Sequence, residues 1–350
     1  MQWPVRKKST QSDDRFFSQG NFFTPDRKAQ FIAPARPSPH ARVTEQYPFR
    51  LNTGRIRDQW HTMTRSGLSP RLASHLPEPF VEMHPGDAAA FGLAEGGFAR
   101  LRSAHGECVL KVVLSQAQRR GSLFAPIHWS EETASSARVG DLVAPAIDPY
   151  SGQPEAKATP VMVEPVAFIC RGFALSQTSF DPPQGSWWSR VTVRNGHGLL
   201  VASNEASARW RDTAQHLFEG MELAEYMDEP RGVYRAAGFS QGRLVGCTFL
   251  GSKETVLSWD AAKSLFESEV LAETSRRVVL SGKPADGIAD PGPVICVCHG
   301  VSLNAIRALI ATGEVVDVTG IGGALKAGTN CGSCLPEPRK ILVEERLARN

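Results

Sequence analysis

The spacing of apolar and polar positions changes several times along the chain, which predicts more than one structural unit. Between residues 48 and 165, short runs of β type are separated by Gly/Pro turns and by one helical segment, PGDAAAFGLA; the runs are FARLRS, ECVLKVVLS, SLFAPIHW and PVMVEPV. Residues 166–290 contain a segment of helical spacing, ASARWRDTAQHLFEGME, and RGVYRAAGFSQGRLVGCTFLGS, which predicts two strands joined by a Gln-Gly turn. We therefore expect a compact β-rich domain followed by a small α+β connecting region.

The two ends of the chain differ from this middle. Residues 1–47 are rich in Pro, Arg, Ser and Gln and contain one hairpin-like piece, FFSQGNFFTPDRKAQF, so we interpret them as an arm that packs onto something else. The segment SGKPADGIADPGP has the composition of a linker. Residues 293–350 predict a unit of short helices, with an N-cap, one apolar face and two prolines that begin the last helix: Ser302, Leu303, Ile306, Leu309, Ile310, Pro336 and Pro338.

Composition and charge exclude several classes of protein. The chain has 350 residues, of which 41% are apolar and 21% charged, as in globular proteins rather than disordered ones. A net charge of +3 gives no electrostatic reason to expect nucleic acid or an anionic membrane as partner. The N-terminal residues show no secretory signal, and no apolar run approaches the length of a membrane span. These features favour a cytoplasmic protein.

Cysteine is used sparingly, and four of the seven cysteines occur in two close pairs near the C-terminus. Cys296-Val-Cys298 is followed, after 32 intervening residues, by Cys331-Gly-Ser-Cys334. Two such pairs, brought together by the fold, would form a four-thiolate metal site. The other cysteines, Cys108, Cys170 and Cys247, are isolated in apolar or strand-like contexts, which is not the pattern of a secreted disulfide framework.

Zinc and an iron–sulfur cluster are the two candidates for this site. Four cysteines commonly hold zinc, but zinc pairs are usually spaced by two to four residues. The tighter Cys-x-Cys pair and the nearby Gly300, Gly328 and Gly332 leave backbone amides free to point at sulfur. Because such hydrogen bonds tune the potential of a cluster, the spacing favours iron–sulfur while leaving zinc open.

The two cysteine motifs resemble a known family. VICVCHGVSLNAIRALI and GTNCGSCLPEPRKIL, within residues 294–345, are similar to the bacterioferritin-associated-ferredoxin (BFD) type of [2Fe-2S] domain. This resemblance implies that Cys296, Cys298, Cys331 and Cys334 are the cluster ligands, with one iron for each pair, and that the site passes single electrons.

A second candidate site is the basic and aromatic segment LNTGRIRDQWHTMTRSG, residues 51–67. Its arginines, hydroxyl groups and glycine suit a large anion, because guanidinium groups bind pyrophosphate and free amides complete the cradle. The alternative is a solvated basic loop with Trp60 buried beneath it, and the residues by themselves slightly favour that alternative.

Resemblance to a family reverses this preference. NTGRIRDQWHTMTRSG, EMHPGDAAAFGLAEGG and DPYSGQPEAKATPVMVEPV are similar to the C-terminal molybdopterin-dinucleotide-binding domain of the dimethyl-sulfoxide-reductase superfamily, and closest to bacterial assimilatory nitrate reductases. This implies an α+β multidomain chain with a β-rich, barrel-like domain of double-psi type, a small α+β linker unit and a small all-α [2Fe-2S] domain. It further implies contacts of a guanine-dinucleotide pterin (bis-MGD molybdenum cofactor) with residues in three segments: Thr53, Gly54, Arg55, Trp60, His61, Thr62, Arg65, His128, Gln153, Pro154 and Lys157.

The resemblance also implies what other parts the activity requires. The family's molybdenum ligand and [4Fe-4S] motifs have no counterpart in these residues, so we expect the C-terminal part of an enzyme that converts nitrate to nitrite, inactive without a catalytic N-terminal part. Its expected electron donor is ferredoxin, flavodoxin or a flavin reductase subunit. Two alternatives remain open: a non-catalytic zinc-binding module and a stand-alone ferredoxin-like electron carrier.

Overall fold

The computed structural model describes residues 17–18, 20–33, 38–252, 255, 257–281 and 291–347. The chain divides into two compact units, Met1–Pro39 and His40–Asn350. In the described part of the first unit, Phe17 and Phe22 stack with ring centroids 4.7 Å apart, and the backbone forms turns without strand pairing. The hairpin-like piece expected there is thus a set of turns where it is described, and part of it lies outside the described residues.

The second unit begins with a closed six-stranded barrel. The strand order around the barrel is β1-β5-β2-β4-β3-β6, with parallel pairing of β1 with β5 and of β2 with β4. Along β1, buried and more exposed positions alternate, so that Leu51 is fully buried in the barrel interior. The strands are β1 (Phe49–Gly54), β2 (Phe80–Met83), β3 (Phe98–Arg102), β4 (Glu107–Leu114), β5 (Ser122–Pro126) and β6 (Thr159–Val166).

Two short helices lie in the chain between barrel strands, α1 (Pro70–Ala73) before β2 and α2 (Pro85–Ala90) after it. Each begins at a proline, whose fixed φ and missing N–H suit the first helical position. The strand runs from residue 98 onward and the helix α2 were expected from the sequence and are confirmed.

A six-stranded antiparallel sheet follows, in the order β10-β11-β12-β7-β9-β8. The predicted turn between β11 and β12 is confirmed, since Gln241 and Gly242 both have positive φ, 51° and 77°, as a tight hairpin turn requires. Its elements are β7 (Cys170–Ser176), β8 (Trp187–Val193), β9 (Gly196–Ser203), α3 (Trp210–Leu217), β10 (Glu222–Asp228), β11 (Val233–Ser240), β12 (Arg243–Gly251), α4 (Trp259–Phe266) and α5 (Glu273–Val278).

The sheet packs directly against the barrel. Trp187 of β8 donates its indole N–H to the carbonyl of Val109 in β4 at 3.0 Å, and its ring lies 4.7 Å from that of Phe98. Trp129 donates to the hydroxyl of Ser189 at 3.2 Å. Because buried indoles of the sheet and barrel are satisfied by each other's polar groups, these two parts share one interface.

The C-terminal unit contains a short two-stranded ladder and three helices. Ser302 caps α6 by accepting a hydrogen bond from the amide of Ala305 at 3.4 Å, as predicted. The ladder was not part of the all-α expectation. The elements are β13 (Val294–Cys296), β14 (Val301–Ser302), α6 (Leu303–Ala311), α7 (Val318–Leu325) and α8 (Pro336–Leu347). Among all helices of the described residues, none is both long and apolar enough to cross a membrane.

Candidate cofactor sites

Three segments of the barrel meet at one edge. Because β1 and β5 are parallel, with Gly54 opposite Pro126, the segments that follow them leave the barrel on the same side. β6 runs antiparallel to β1, so the residues that precede β6 return to this edge. There the Thr53 hydroxyl donates to the carbonyl of Ala156, and the Lys157 ammonium donates to the carbonyl of Thr53.

His128 lies beneath the loop that follows β1 and is fully buried. Its Nε2 accepts a hydrogen bond from the amide of Ile56 at 2.9 Å, and its Nδ1 donates to the carbonyl of His61 at 2.6 Å. Burial lowers the pKa of His128, assisted by the positive charge of Arg55. A neutral His128 ring, with one donor and one acceptor, therefore fixes the loop backbone at Ile56 and His61.

The outer side of the same loop presents aromatic and polar side chains to solvent. The Arg55 guanidinium lies 4.9 Å above the Trp60 ring, and the His61 ring meets the same indole edge-on at 4.5 Å. Trp60 is 56% exposed, so the alternative in which it is buried beneath the loop is wrong. Thr62 and Arg65 are exposed on this loop as well. We call these five exposed residues the loop face. Contacts join Arg55 and His61 to Trp60, while Thr62 also lines a neighbouring pocket with Gln59 and Met63.

The backbone of this loop is held in an uncommon shape. His61 and Met63 have φ values of 46° and 63°, a region that non-glycine residues rarely adopt. At the start of the loop, a Cβ on Gly54 would lie 2.7 Å from Cε2 of Phe124, so only glycine fits without a shift. Uncommon backbone conformations persist where neighbouring residues fix them. Here His128 fixes the backbone at His61 through a hydrogen bond, and Phe124 packs closely against Gly54.

Gln153 and Pro154 lie in an exposed turn that leads to Lys157. The amide of Asp148 donates to the carbonyl of Gln153 at 2.8 Å, and Ser151 accepts from the Gln153 amide at 3.3 Å. Lys157 lies at the barrel edge, where its ammonium group donates to the carbonyl of Thr53. The side chains of Gln153 and Pro154 are exposed in the turn.

The four paired cysteines form two cross-pairs. The sulfur atoms of Cys298 and Cys331 are 3.4 Å apart, and Cys298 is half-buried while Cys331 is exposed. Cys296 and Cys334 are each 2% exposed, and their thiols hydrogen bond to each other. We call these the outer pair and the inner pair. Across the described ranges, no group of three or more His, Cys, Asp or Glu side chains is gathered as ligands of a single ion.

Hydrogen-bond donors surround these sulfur atoms. The Ser333 hydroxyl lies 3.0 Å from the sulfur of Cys331, and hydrogen bonds from Ser333 and then from Cys298 lower the pKa of Cys331. Burial raises the pKa of Cys334 to about 11, and the amide of Gly328 partly opposes this by donating to its sulfur. Thiols that receive amide and hydroxyl hydrogen bonds fit the ligand set of an iron–sulfur cluster. Of the three glycines considered in the sequence, Gly328 makes such a contact.

Arg57 connects the two candidate sites. It belongs to the loop after β1, but its side chain, 15% exposed, points away from the loop face. Its Nη2 donates to the carbonyl of Ile295 at 2.6 Å and pairs with Glu337 of α8 at 2.8 Å. Ile295 precedes Cys296, and the amide of Glu337 donates to the carbonyl of Cys334 at 3.0 Å. One buried guanidinium thus contacts both segments that carry the inner pair.

Two further titratable residues complete this contact. Asp58 lies 2.8 Å from Nδ1 of His75, whose Nε2 lies 3.7 Å from Glu337. Burial raises the pKa of Glu337, opposed by the nearby His75 and Arg57. Sequence reasoning missed these residues because the two sides lie far apart in the chain, 238 residues in the case of Arg57 and Ile295. No local pattern marks them.

The remaining cysteines take no part in either site. Cys108 and Cys247 are buried in the barrel and the sheet, and Cys170 lies at the start of β7. Burial raises the pKa of Cys108 to about 12 and that of Cys170 to about 11, and it raises that of Cys247 as well. Their thiols are buried in apolar surroundings, where the protonated form is favoured.

Comparison with known proteins identifies both parts. Residues 49–160 match the family model described as molydopterin dinucleotide binding domain, and residues 294–344 match that of the BFD-like [2Fe-2S] binding domain. A nitrate reductase from Klebsiella oxytoca is 35% identical over 344 residues, which cover 98% of this chain and 39% of that protein. An assimilatory nitrate reductase catalytic subunit from Bacillus subtilis is 31% identical over 47% of the chain and 23% of its own length.

The similarity extends to a second type of enzyme over a shorter range. The alpha subunit of an F420-dependent formate dehydrogenase from Methanococcus maripaludis is 32% identical over 143 residues, 41% of this chain and 20% of that protein.

The chain spans about two fifths of the length of the nitrate reductase from Klebsiella oxytoca. Both the barrel and the cysteine unit lie within the aligned length of that nitrate reductase.

Proposed function

We propose that this chain, with its molydopterin dinucleotide binding domain and its BFD-like [2Fe-2S] binding domain, is the C-terminal portion of a molybdenum-dependent nitrate reductase. The observation that carries the proposal is the contact through Arg57, because it joins the loop expected to bind the pterin to the segments that carry Cys296 and Cys334. This contact places the proposed cluster site beside the part of the chain proposed to hold the dinucleotide end of the cofactor. The matched nitrate reductase supports nitrate as the substrate.

In this proposal the loop face and the neighbouring turn hold the distal, dinucleotide part of the pterin. The cation of Arg55 lies over the indole of Trp60, and both are exposed on the loop, as is Thr62, so that a cation, an aromatic ring and a hydroxyl are available to an anionic nucleotide. His128 acts from below as a positioning residue. The full proposed set is Thr53, Gly54, Arg55, Trp60, His61, Thr62, Arg65, His128, Gln153, Pro154 and Lys157.

Cys296, Cys298, Cys331 and Cys334 are the proposed ligands of a [2Fe-2S] cluster. When bound, the cluster would supply one-electron transfer, and conversion of nitrate to nitrite takes two electrons in all. The protein's own contribution is to hold four sulfurs, to donate hydrogen bonds from Ser333 and Gly328, and to keep the inner pair dry.

The proposal also assigns the parts of the chain. Residues 1–47 are the arm of a larger domain, 48–165 the pterin-binding domain, 166–290 the connecting region and 293–350 the cluster domain. The two parallel strand pairs support a barrel of double-psi type. The partners would be the catalytic N-terminal part with bis-MGD molybdenum cofactor and a ferredoxin, flavodoxin or flavin reductase donor, in the cytoplasm.

The cluster is tested by anaerobic reconstitution of the full chain with iron and sulfide. We expect about two iron and two labile sulfide per chain, with visible absorption that is lost in Cys331→Ser and kept in Cys170→Ser. Zinc bound in place of iron, with no sulfide, would instead indicate the zinc-binding module.

The nucleotide site is tested separately by equilibrium binding of guanine-dinucleotide pterin. Arg55→Ala removes a guanidinium from the loop face, so we expect weaker binding by about tenfold, the loss of a charge-assisted contact of roughly 1.5 kcal/mol. The iron and sulfide content should be unchanged, because Arg55 does not contact the cysteine unit. Equal loss of both cofactors would contradict the assignment of two separate sites.

A further inference from the structure

A groove of about 460 Å³ lies beside the outer pair. It is built from three separate parts of the chain: helix α1 of the barrel, the turn between β8 and β9 with α4 of the sheet region, and the loop after Cys298. The residues that matter for its charge are Arg71, Arg194, Lys263, Glu267 and His299. The groove thus exists only when the cysteine unit is docked on the rest of the chain.

The groove carries an excess of positive charge. Arg71, Arg194 and Lys263 face one carboxylate, Glu267, which accepts a hydrogen bond from the backbone amide of Arg194 at 3.0 Å. Within the described part of the chain, none of the three cations forms an ion pair; Arg71 only approaches the carbonyl of Cys298 at 3.5 Å. Their charges therefore act on whatever approaches Cys298.

The two cysteine pairs differ in how a partner can reach them. The inner pair is covered by Arg57 and its neighbours, and both of its cysteines are 2% exposed. The outer pair is open, since Cys331 is exposed and Cys298 and His299 line the groove. Among the described residues, the outer pair is therefore the accessible side of the site for another macromolecule.

We propose that this cationic groove is the docking surface for an acidic one-electron carrier protein, which reduces the site at the outer pair. The proposal rests on the proposed function, because it requires a [2Fe-2S] cluster on the four cysteines. The redox centre of the carrier loses one electron and the cluster gains one, with no bond made or broken. Carboxylates around the carrier's centre would pair with Arg194 and Lys263 and place that centre next to Cys298 and Cys331.

The test measures reduction of the reconstituted full chain by a dithionite-reduced acidic [2Fe-2S] ferredoxin, freed of excess dithionite, in a stopped-flow instrument. At low ionic strength, reversing two charges with Arg194→Glu and Lys263→Glu should lower the second-order rate constant by about tenfold or more. Raising the salt concentration should slow the wild type and bring both proteins to similar rates.

Two controls make the result specific. Arg231→Glu changes an exposed arginine in the turn between β10 and β11, outside the groove, and should leave the ferredoxin rate within about twofold of wild type. Methyl viologen radical, a cation, should reduce the charge-reversed double variant no more slowly than wild type. All variants should bind the same amount of iron and sulfide.

Equal ferredoxin rates in the wild type and the double variant, at low salt and with intact clusters, would overturn the docking surface while leaving the cluster assignment in place. A wild-type chain that assembles no cluster would instead overturn the proposed function, and the docking proposal with it.

Discussion

At the scale of single residues, His128 shows how a buried ring can fix the backbone of a candidate site. Its two nitrogens hold the backbone at Ile56 and His61, so the positive φ of His61 is maintained from below. Protonation of Nε2 would replace an acceptor by a donor facing the amide of Ile56. Both this loss and burial disfavour the charged ring.

This predicts a pH dependence of stability. Because the pKa of His128 is lowered in the folded state, the unfolded chain binds a proton that the folded chain does not once the pH falls below about 6.5. Stability should therefore fall as the pH decreases from 7 to 5. In His128→Gln this contribution, about 1.4 kcal/mol for each unit by which the pKa is lowered, should be absent, so its unfolding temperature should fall less steeply.

Thermal unfolding followed by tryptophan fluorescence at a series of pH values measures how steeply the unfolding temperature depends on pH in the wild type and in His128→Gln. His105→Gln is the matched control, since His105 is exposed in the turn between β3 and β4 and should retain the wild-type slope. If His128→Gln followed the wild-type curve throughout, the buried neutral histidine would not be the group responsible.

Gly54, the last residue of β1, sets the geometry where the loop begins. In Gly54→Ala the new Cβ would lie 2.7 Å from the Phe124 ring, so we expect destabilisation of about 1–3 kcal/mol from overpacking. Gly140→Ala is the matched control, because its Cβ meets only the side chain of Arg138 at 4.0 Å and should change stability by less than about 0.5 kcal/mol. Urea unfolding of both variants distinguishes these outcomes, and equal stability would show that Phe124 simply moves aside.

At the scale of elements, the loop after β1 has two sides with different partners. Arg55 belongs to the exposed loop face, whereas Arg57, two residues later, is turned toward α8 and the strand that carries Cys296. In an arginine-rich motif, therefore, not every arginine has to bind the anion. Here one cation is part of the contact between the two candidate cofactor sites.

This arrangement predicts opposite shifts of the cluster's reduction potential. Reduction adds negative charge, which Arg57 stabilises and Glu337 opposes. Arg57→Gln should lower the potential and Glu337→Gln should raise it, each by tens of millivolts if the charge is worth roughly 1 kcal/mol at this depth. EPR-monitored redox titration of the reconstituted chain measures both shifts.

Arg307→Gln provides the control for these potentials, because Arg307 lies on the outer side of α6 and pairs with Glu345 rather than with the cysteine segments. Shifts of the same sign in Arg57→Gln and Glu337→Gln would indicate a general loosening of the contact instead of an electrostatic effect.

The sequence predicted those features that depend on neighbours in the chain. Alternation, the Gln-Gly turn and the Ser302 cap are local, so β11, β12 and the start of α6 were found. The strands β7, β8 and β9 were not, although β7 and β9 lie inside the sheet and β8 forms one of its edges. The Arg57–Glu337 contact and the burial of His128 depend on partners distant in sequence, and the spacing of apolar residues along the chain does not indicate such partners.

At the scale of the whole molecule, the barrel and the sheet share buried apolar residues, whereas the cysteine unit has an apolar core of its own; we call these the two bodies of the unit His40–Asn350. Phe98 and Val109 of the barrel share a buried cluster with Trp187 and Ala202 of the sheet. The core of the cysteine unit, in contrast, contains only its own residues, from Ile295 to Leu342. Its contacts with the rest of the chain through Arg57 and Arg71 are polar.

Loss of the cluster should therefore destabilise one body and not the other. All seven tryptophans lie before residue 291, so tryptophan fluorescence reports on the barrel and sheet, while hydrogen exchange of peptides from residues 291–347 reports on the cysteine unit. Because a cluster binds the folded unit only, its removal in Cys331→Ser should strongly accelerate exchange in that unit. The unfolding temperature seen by fluorescence should change by less than about 2 °C, since the shared core of the barrel and sheet is untouched. Cys170→Ser should behave in the opposite way, lowering the fluorescence transition and leaving exchange in residues 291–347 slow. If Cys331→Ser both accelerated exchange in residues 291–347 and lowered the fluorescence unfolding temperature, the polar contact through Arg57 would have to couple the two bodies as strongly as a shared apolar core does.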